Sequence, residues 1–249
     1  MLVHGTQGSL ETFCRNIGPL SEHYRVIAFD LVGSGFSGKP DHDYDMGVYA
    51  AHLGAVMDVL DIAKASFVGV SLGAGVLARF MVDFPGRTEH AALISAVGLS
   101  FDETMVQRVG SQRSAAVEDP TWERVRGVIR NLVFDDASVM PDIVAVRRRA
   151  YLLPDARSAV RHTIDGLRDP ARRQVNLVSA EEWSQVLAPV LLVLAVDTED
   201  TFLETGRRLA EILPNATSLE MKHVGHWPHL EDPRRFNEAV IEFFDGREG

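Results

Sequence analysis

Through the first hundred positions, short apolar runs rich in β-branched residues alternate with longer stretches of helical periodicity. Met1–His4, Arg25–Asp30, Ser66–Ser71 and Ala91–Leu99 are brief, apolar at successive positions and bounded by Gly, Pro or polar residues. Runs of that kind predict strands buried on both faces. Between them, Val48–Ile62 carries Val48, Leu53, Val56, Val59 and Leu60 at helical spacing, and Leu72–Asp83 does likewise. Strand–helix–strand alternation predicts an α/β domain, a mostly parallel twisted sheet with helices on both faces.

Over residues 103–182 the texture changes. Strand-like runs vanish, and Arg-rich helical segments appear, separated by Pro120, Pro141, Pro154 and Pro170. Val125, Val128, Ile129 and Leu132 suit a helix with one buried face. Strand character returns at Val190–Val196 and Ser218–Lys222, and a last helix begins with Asp232 as N-cap and Pro233 at its first position. Its stripe of Phe236, Val240, Ile241 and Phe244 is expected to pack on the sheet. The expected organisation is one core domain in two parts, 1–102 and 183–249, interrupted by an all-helical lid over 103–182.

Composition narrows the partners. With 25 Lys and Arg against 35 Asp and Glu, the net charge of −10 argues against a nucleic-acid binder or a polybasic membrane-surface protein. It leaves an anionic small-molecule substrate open, because a local arginine cluster overrides the global sign. Cys14 is the only cysteine, which excludes an internal disulfide and fits a reducing compartment. The longest apolar run, Pro189–Val196, is too short to span a bilayer, and the start lacks a basic segment followed by an apolar one. A cytoplasmic protein is expected. A homodimer is left open. The histidines lack H-E-x-x-H spacing and no Walker or dinucleotide loop occurs, so neither a metal nor an organic cofactor is expected.

Gly69-Val70-Ser71-Leu72-Gly73 matches G-x-S-x-G where that motif has chemical meaning. A strand runs straight into a helix of small residues, so Ser71 is expected at a sharp turn with its hydroxyl at the carboxyl edge of the sheet. The helix start brings partial positive charge and free N–H groups, Leu72 among them, to a developing oxyanion. His226 lies between the last strand and the last helix and follows Ser71 in chain order, as an acyl-transfer base of this kind must. His223 and His229 are expected to be surface or supporting groups.

With these pieces in hand, the chain resembles the α/β-hydrolase superfamily over essentially its whole length. More narrowly it is similar to the meta-cleavage product hydrolases, the C–C bond hydrolases of aromatic-ring catabolism. The stretches that carry this are His4-Gly5-Thr6, Arg15-Asn16-Ile17-Gly18-Pro19, Phe29-Asp30-Leu31-Val32-Gly33-Ser34-Gly35-Phe36-Ser37, the serine elbow, and Gly225-His226-Trp227-Pro228-His229-Leu230-Glu231-Asp232-Pro233. The resemblance implies an oxyanion hole from the backbone N–H groups of Thr6 and Leu72, and a pocket lined by Trp227. It also implies that Arg147, in Pro141-Asp-Ile-Val-Ala-Val-Arg147-Arg-Arg, binds a substrate carboxylate, for which a guanidinium is the planar partner.

Two departures stand out. The family's Trp-Gly-x-x-Asp after the Val190–Val196 strand reads Ala195-Val196-Asp197-Thr198-Glu199-Asp200-Thr201-Phe202 here. The usual register lands on Thr198, which cannot act as an acid; Asp200 keeps the Asp-x-apolar ending, while Asp197 sits nearer the strand end. Either carboxylate could hold the imidazole in its working tautomer. The second departure is that only three residues precede His4, where such folds have an amino-terminal strand hairpin. Cleavage of a 2-hydroxy-6-oxo-dienoate is the expected activity. A carboxylesterase or lactonase, and a non-catalytic ligand sensor on the same fold, are the alternatives.

Overall fold

The computed structural model describes residues 1–99 and 102–246. Its first half is β1 (Leu2–Val3), α1 (Ile17–Ser21), β2 (Ala28–Phe29), α2 (Met46–Val59), β3 (Ala65–Val70), α3 (Leu72–Asp83) and β4 (Thr88–Ile94). Six helices follow without an intervening strand among the described residues: α4 (Glu103–Glu118), α5 (Trp122–Arg130), α6 (Pro141–Tyr151), α7 (Ala156–Arg168), α8 (Pro170–Val175) and α9 (Ala180–Ser184). The chain then returns to the sheet with β5 (Val190–Ala195), α10 (Thr201–Ile212), β6 (Ala216–Met221), α11 (Pro228–Glu231) and α12 (Pro233–Phe244).

The six strands form one parallel sheet in the order β2-β1-β3-β4-β5-β6. Alternate residues of each strand feed two cores. Phe67, Leu93 and Leu192 join the core that contains Leu53 of α2, Leu77 of α3 and Leu209 of α10. Val68, Ala92 and Leu191 join the opposite core, with Phe236 and Val240 of α12 and much of the helical insertion. Burial on both faces is why the inner strand β5 is continuously apolar, whereas the edge strand β6, Ala216–Met221, is mostly exposed and mixes polar residues in. Each large side chain so buried contributes roughly 1.5–3 kcal/mol. No described helix is long and apolar enough to cross a membrane.

The helices α3 and α12 start where expected, the latter on Asp232, whose carboxylate accepts from Arg235 N–H, with Pro233 in the first turn. Three expectations need correction. The strand expected over Ala91–Leu99 ends at Ile94, because Ser95 turns the chain out of the sheet at φ 49°. The strand expected over Arg25–Asp30 pairs only at Ala28–Phe29. Helix α2 buries Met46, Tyr49, Ala50, Leu53 and Met57, while Val59 is 86% exposed. Its inward face follows a different helical row from the one the valines suggest, and Val59 falls off it.

Candidate active site

The strand order reverses at β1, which has β2 on one side and β3 on the other. In an open parallel sheet such a switch point leaves a crevice at the carboxyl ends of the two strands, because the following connections depart to opposite faces. Here those ends carry His4-Gly5-Thr6 and Ser71. The two loops touch: a Cβ on Gly5 would lie 3.2 Å from the carbonyl oxygen of Val70 and 3.3 Å from Ser71 Cβ, so a larger residue would push the loops apart. His4 anchors the first loop from below. Its Nε2 accepts from Leu31 N–H at 3.0 Å, which places the ring proton on Nδ1, 2.8 Å from the Gly5 carbonyl oxygen. Burial lowers its pKa to about 4, so it is a neutral strut.

Ser71 sits at φ 55°, ψ −116°, a region an L-residue occupies only where its surroundings impose it. Two backbone bonds do so: Ser71 N–H donates to the Ile94 carbonyl at 2.9 Å, and Gly75 N–H donates to the Ser71 carbonyl at 3.1 Å. The first splices the turn to β4 and the second to α3. Leu72 is the first residue of α3, so its N–H has no partner within the helix.

The loop after β6 carries His226. Asn16 clamps it from beneath, donating through Nδ2 to the His229 carbonyl and to Asn237 Oδ1, both at 2.9 Å. Arg15 adds a bond to the Leu230 carbonyl at 3.1 Å. The resemblance stretch around Asn16 is thus the seat of the histidine loop. From above, Glu231 accepts from Gly225 N–H at 2.6 Å and from Phe134 N–H at 2.7 Å, tying the loop to the helical insertion. Gly225 is needed there, since a Cβ would come within 2.7 Å of Phe134 N. The His226 ring packs on Phe202 with centroids 4.3 Å apart. Burial lowers its pKa to about 3, with the positive charges of Arg113 and Arg108 adding to the shift, so it is a neutral imidazole able to take a proton. His223 is exposed and His229 fully buried.

These loops and the insertion enclose a cavity of about 450 Å³. Thr6, Ser71, Leu72, Arg147, Asp200, His226 and Trp227 all line it, so the structure brings together every site residue expected from sequence except Asp197. Asp200 caps α10, and its Oδ1 accepts from Phe202 and Leu203 N–H, both at 3.0 Å. Asp197 is exposed and turned the other way, with Oδ2 accepting from His223 N–H at 2.7 Å. Among the described residues no hydrogen bond joins His226 to Ser71 or to Asp200. Of the three consecutive arginines, Arg147 is 1% exposed and Arg148 and Arg149 face solvent. The Arg147 guanidinium lies 5.6 Å over the Trp227 ring, with Nε and Nη1 unpartnered. Sequence reading missed Arg113, a second buried arginine on the cavity wall, and Glu231 as the tether.

Comparison with known proteins agrees with this fold. The chain is 28% identical to the 2-hydroxy-6-oxo-2,4-heptadienoate hydrolase of Pseudomonas putida, over 98% of this chain and 87% of that one. It is likewise 28% identical to a 2-hydroxymuconate semialdehyde hydrolase of a Pseudomonas strain, over 98% and 85% of the two chains. Among solved structures it is similar to the meta-cleavage product hydrolase of Pseudomonas fluorescens in complex with acetates, with a TM-score of 0.84 at 26% identity over 99% of this chain and 90% of that one. The model of the alpha/beta hydrolase family matches residues 1–239. A match over nearly the whole chain, carried by a parallel sheet with a strained serine between strand and helix, means that this chain belongs to the alpha/beta hydrolase family and is a hydrolase.

Proposed function

We propose that this enzyme is a serine hydrolase that cleaves a C–C bond in a 2-hydroxy-6-oxo-dienoate, the ring-fission product of a catechol. The observation that carries the reading is one cavity holding Ser71 on its strained turn, neutral His226, and the buried, unpartnered guanidinium of Arg147. An unpaired buried cation is costly, and a carboxylate bound there would relieve it. A simple neutral ester offers it nothing.

In this reading Arg147 fixes the dienoate carboxylate and His226 assists ketonisation of the dienol. His226 then removes the Ser71 proton as the hydroxyl oxygen attacks the distal ketone. The N–H groups of Thr6 and Leu72 receive the oxyanion, each worth about 3–4 kcal/mol in comparable sites. Collapse breaks the C–C bond, and the proton returns from His226 to the departing carbon. Water then releases the smaller acid from Ser71 by the same steps. Asp200 is the third member: with Oδ1 committed to α10, its second oxygen is left for His226 Nδ1. Bonds of this kind are often long until substrate seats. The helices over 103–182 act as the lid that shapes the acyl side.

A panel of coloured dienoates and p-nitrophenyl esters tests this. Turnover of a dienoate is expected to exceed that of p-nitrophenyl acetate by a wide margin in kcat/KM, and Ser71→Ala is expected to lower dienoate kcat by about 10⁴-fold or more. Rapid ester hydrolysis with no dienoate decay would make the protein an esterase or lactonase. Failure of a fluorophosphonate to label Ser71 in folded protein would remove the serine mechanism altogether.

A further inference from the structure

The cavity holds more positive charge than one carboxylate can meet. Arg113, on α4, lines it and is 4% exposed; Arg147, on α6, is 1% exposed. In both, Nε and Nη1 are buried without a hydrogen-bond partner, and no ion pair reaches either side chain among the described residues. The neighbouring Tyr151 hydroxyl is also buried without a partner. Burial lowers the Arg113 pKa to about 10, against the opposing pull of Tyr151 and with a smaller push from the Arg147 charge, so it stays a cation at neutral pH.

Two unpaired buried cations within electrostatic reach are expensive for a folded protein, and arginine does not escape the cost by losing its proton. The carboxylates at hand are otherwise engaged. Glu11, in reach of Arg147, takes the Ser9 hydroxyl, and burial pushes its pKa up, towards the uncharged form. Asp200 caps α10. The two guanidiniums also have different neighbours. Arg147 lies over Trp227 and beside the turn at Gly8, whereas Arg113 acts on His226 and Tyr151. They come from different helices, α4 and α6.

Resting on the reading above, we propose that the substrate is a dianion, a ring-fission dienoate with a second acid group: Arg147 holds the dienoate carboxylate and Arg113 holds the second. Arg113 is therefore the residue that sets specificity for diacids over monoacids.

The test uses two coloured dienoates identical except that one ends in a carboxylate and the other in a methyl group. The wild-type enzyme is expected to prefer the diacid by about 10- to 100-fold in kcat/KM, the range of a charged hydrogen-bonded contact. Arg113→Gln is expected to collapse that preference towards unity, and Arg113→Lys to restore part of it. Equal handling of the two acids by wild type, or a preference that survives Arg113→Gln, overturns the proposal. In that case a single carboxylate is shared between the guanidiniums. Binding of glutarate and butyrate, read by Trp fluorescence, keeps the two readings separable. If neither dienoate is turned over, the C–C activity fails, while glutarate binding at least tenfold tighter than butyrate, lost in Arg113→Gln, still supports the dianion site; equal binding overturns it. Arg113→Met is expected to raise Tm in ligand-free protein, because it removes an unpaired buried charge. A lower Tm would assign Arg113 to structure and count against the proposal.

Discussion

Asp200 and Asp197 lie three positions apart and differ in what they face. Asp200 borders the cavity with one oxygen on its own helix, whereas Asp197 is exposed and occupied by the His223 backbone. Asp200→Asn keeps the helix cap but removes the charge that would stabilise a protonated His226, so kcat is expected to fall about 10⁴-fold. Asp197→Asn is expected to change kcat by less than about threefold, since an exposed pair contributes little. Steady-state kinetics of the two variants on one dienoate decides between them. The base carries a second expectation. Because burial favours its neutral form, the acidic limb of the kcat/KM profile is expected below the ordinary histidine value of 6.5, and a limb above that value would show that His226 is not the base seen in free enzyme. The serine and the histidine are legible in the sequence because each is marked by its own neighbours: glycines around Ser71, and a strand end and a helix cap on either side of His226. Arg113 is not. On an Arg-rich amphipathic helix it reads like any solvated cation, and only its burial separates it from Arg108 on the same helix, which borders the same cavity but is exposed.

The connections between elements carry the precision of the site. Gly225 allows the histidine loop to meet residues 133 and 134 backbone to backbone. Gly225→Ala drives a methyl group into that contact, and a loss of about 1–3 kcal/mol in stability is expected. Chemical denaturation would measure it; an unchanged midpoint would mean that the two segments part easily. Local signals placed α3, α6 and α12 well, because Pro, Asp and the Gly-Ser turn set their first residues. The short parallel strands were less legible. Where β1 and β2 stop depends on which residues find a partner, and that is decided by chain far away in sequence. The partners of Glu231, nearly a hundred residues upstream, leave no local trace either.

Considered as one body, the protein fully buries His4 and His229 and partly buries His226, and desolvation lowers the pKa of His4, His226 and His229 to about 4, 3 and 3. The unfolded chain binds protons at these rings near pH 6.5 while the folded chain does not. Stability is therefore complete above 6.5 and lost as pH falls towards the folded values, at up to about 1.4 kcal/mol per pH unit for each ring. Urea midpoints measured between pH 7 and 4.5 are expected to drop steeply; a flat series would mean that these rings are protonated in the native state. The chain carries a net charge of −10 while three arginines, Arg108, Arg113 and Arg147, line the cavity, so the molecule repels anions at long range and attracts them only close to the cavity.

The Glu231 carboxylate grips both the base loop and the backbone at Phe134 and Asp135. If His226 is the base proposed above, access on that side and proton transfer would be coupled through this one carboxylate. A displacement of the 134–135 segment would carry through this carboxylate to the loop that holds His226. On the function proposed above, such an enzyme would be idle while that side stood open, and a reactive dienol would meet His226 only after bulk water had been shut out.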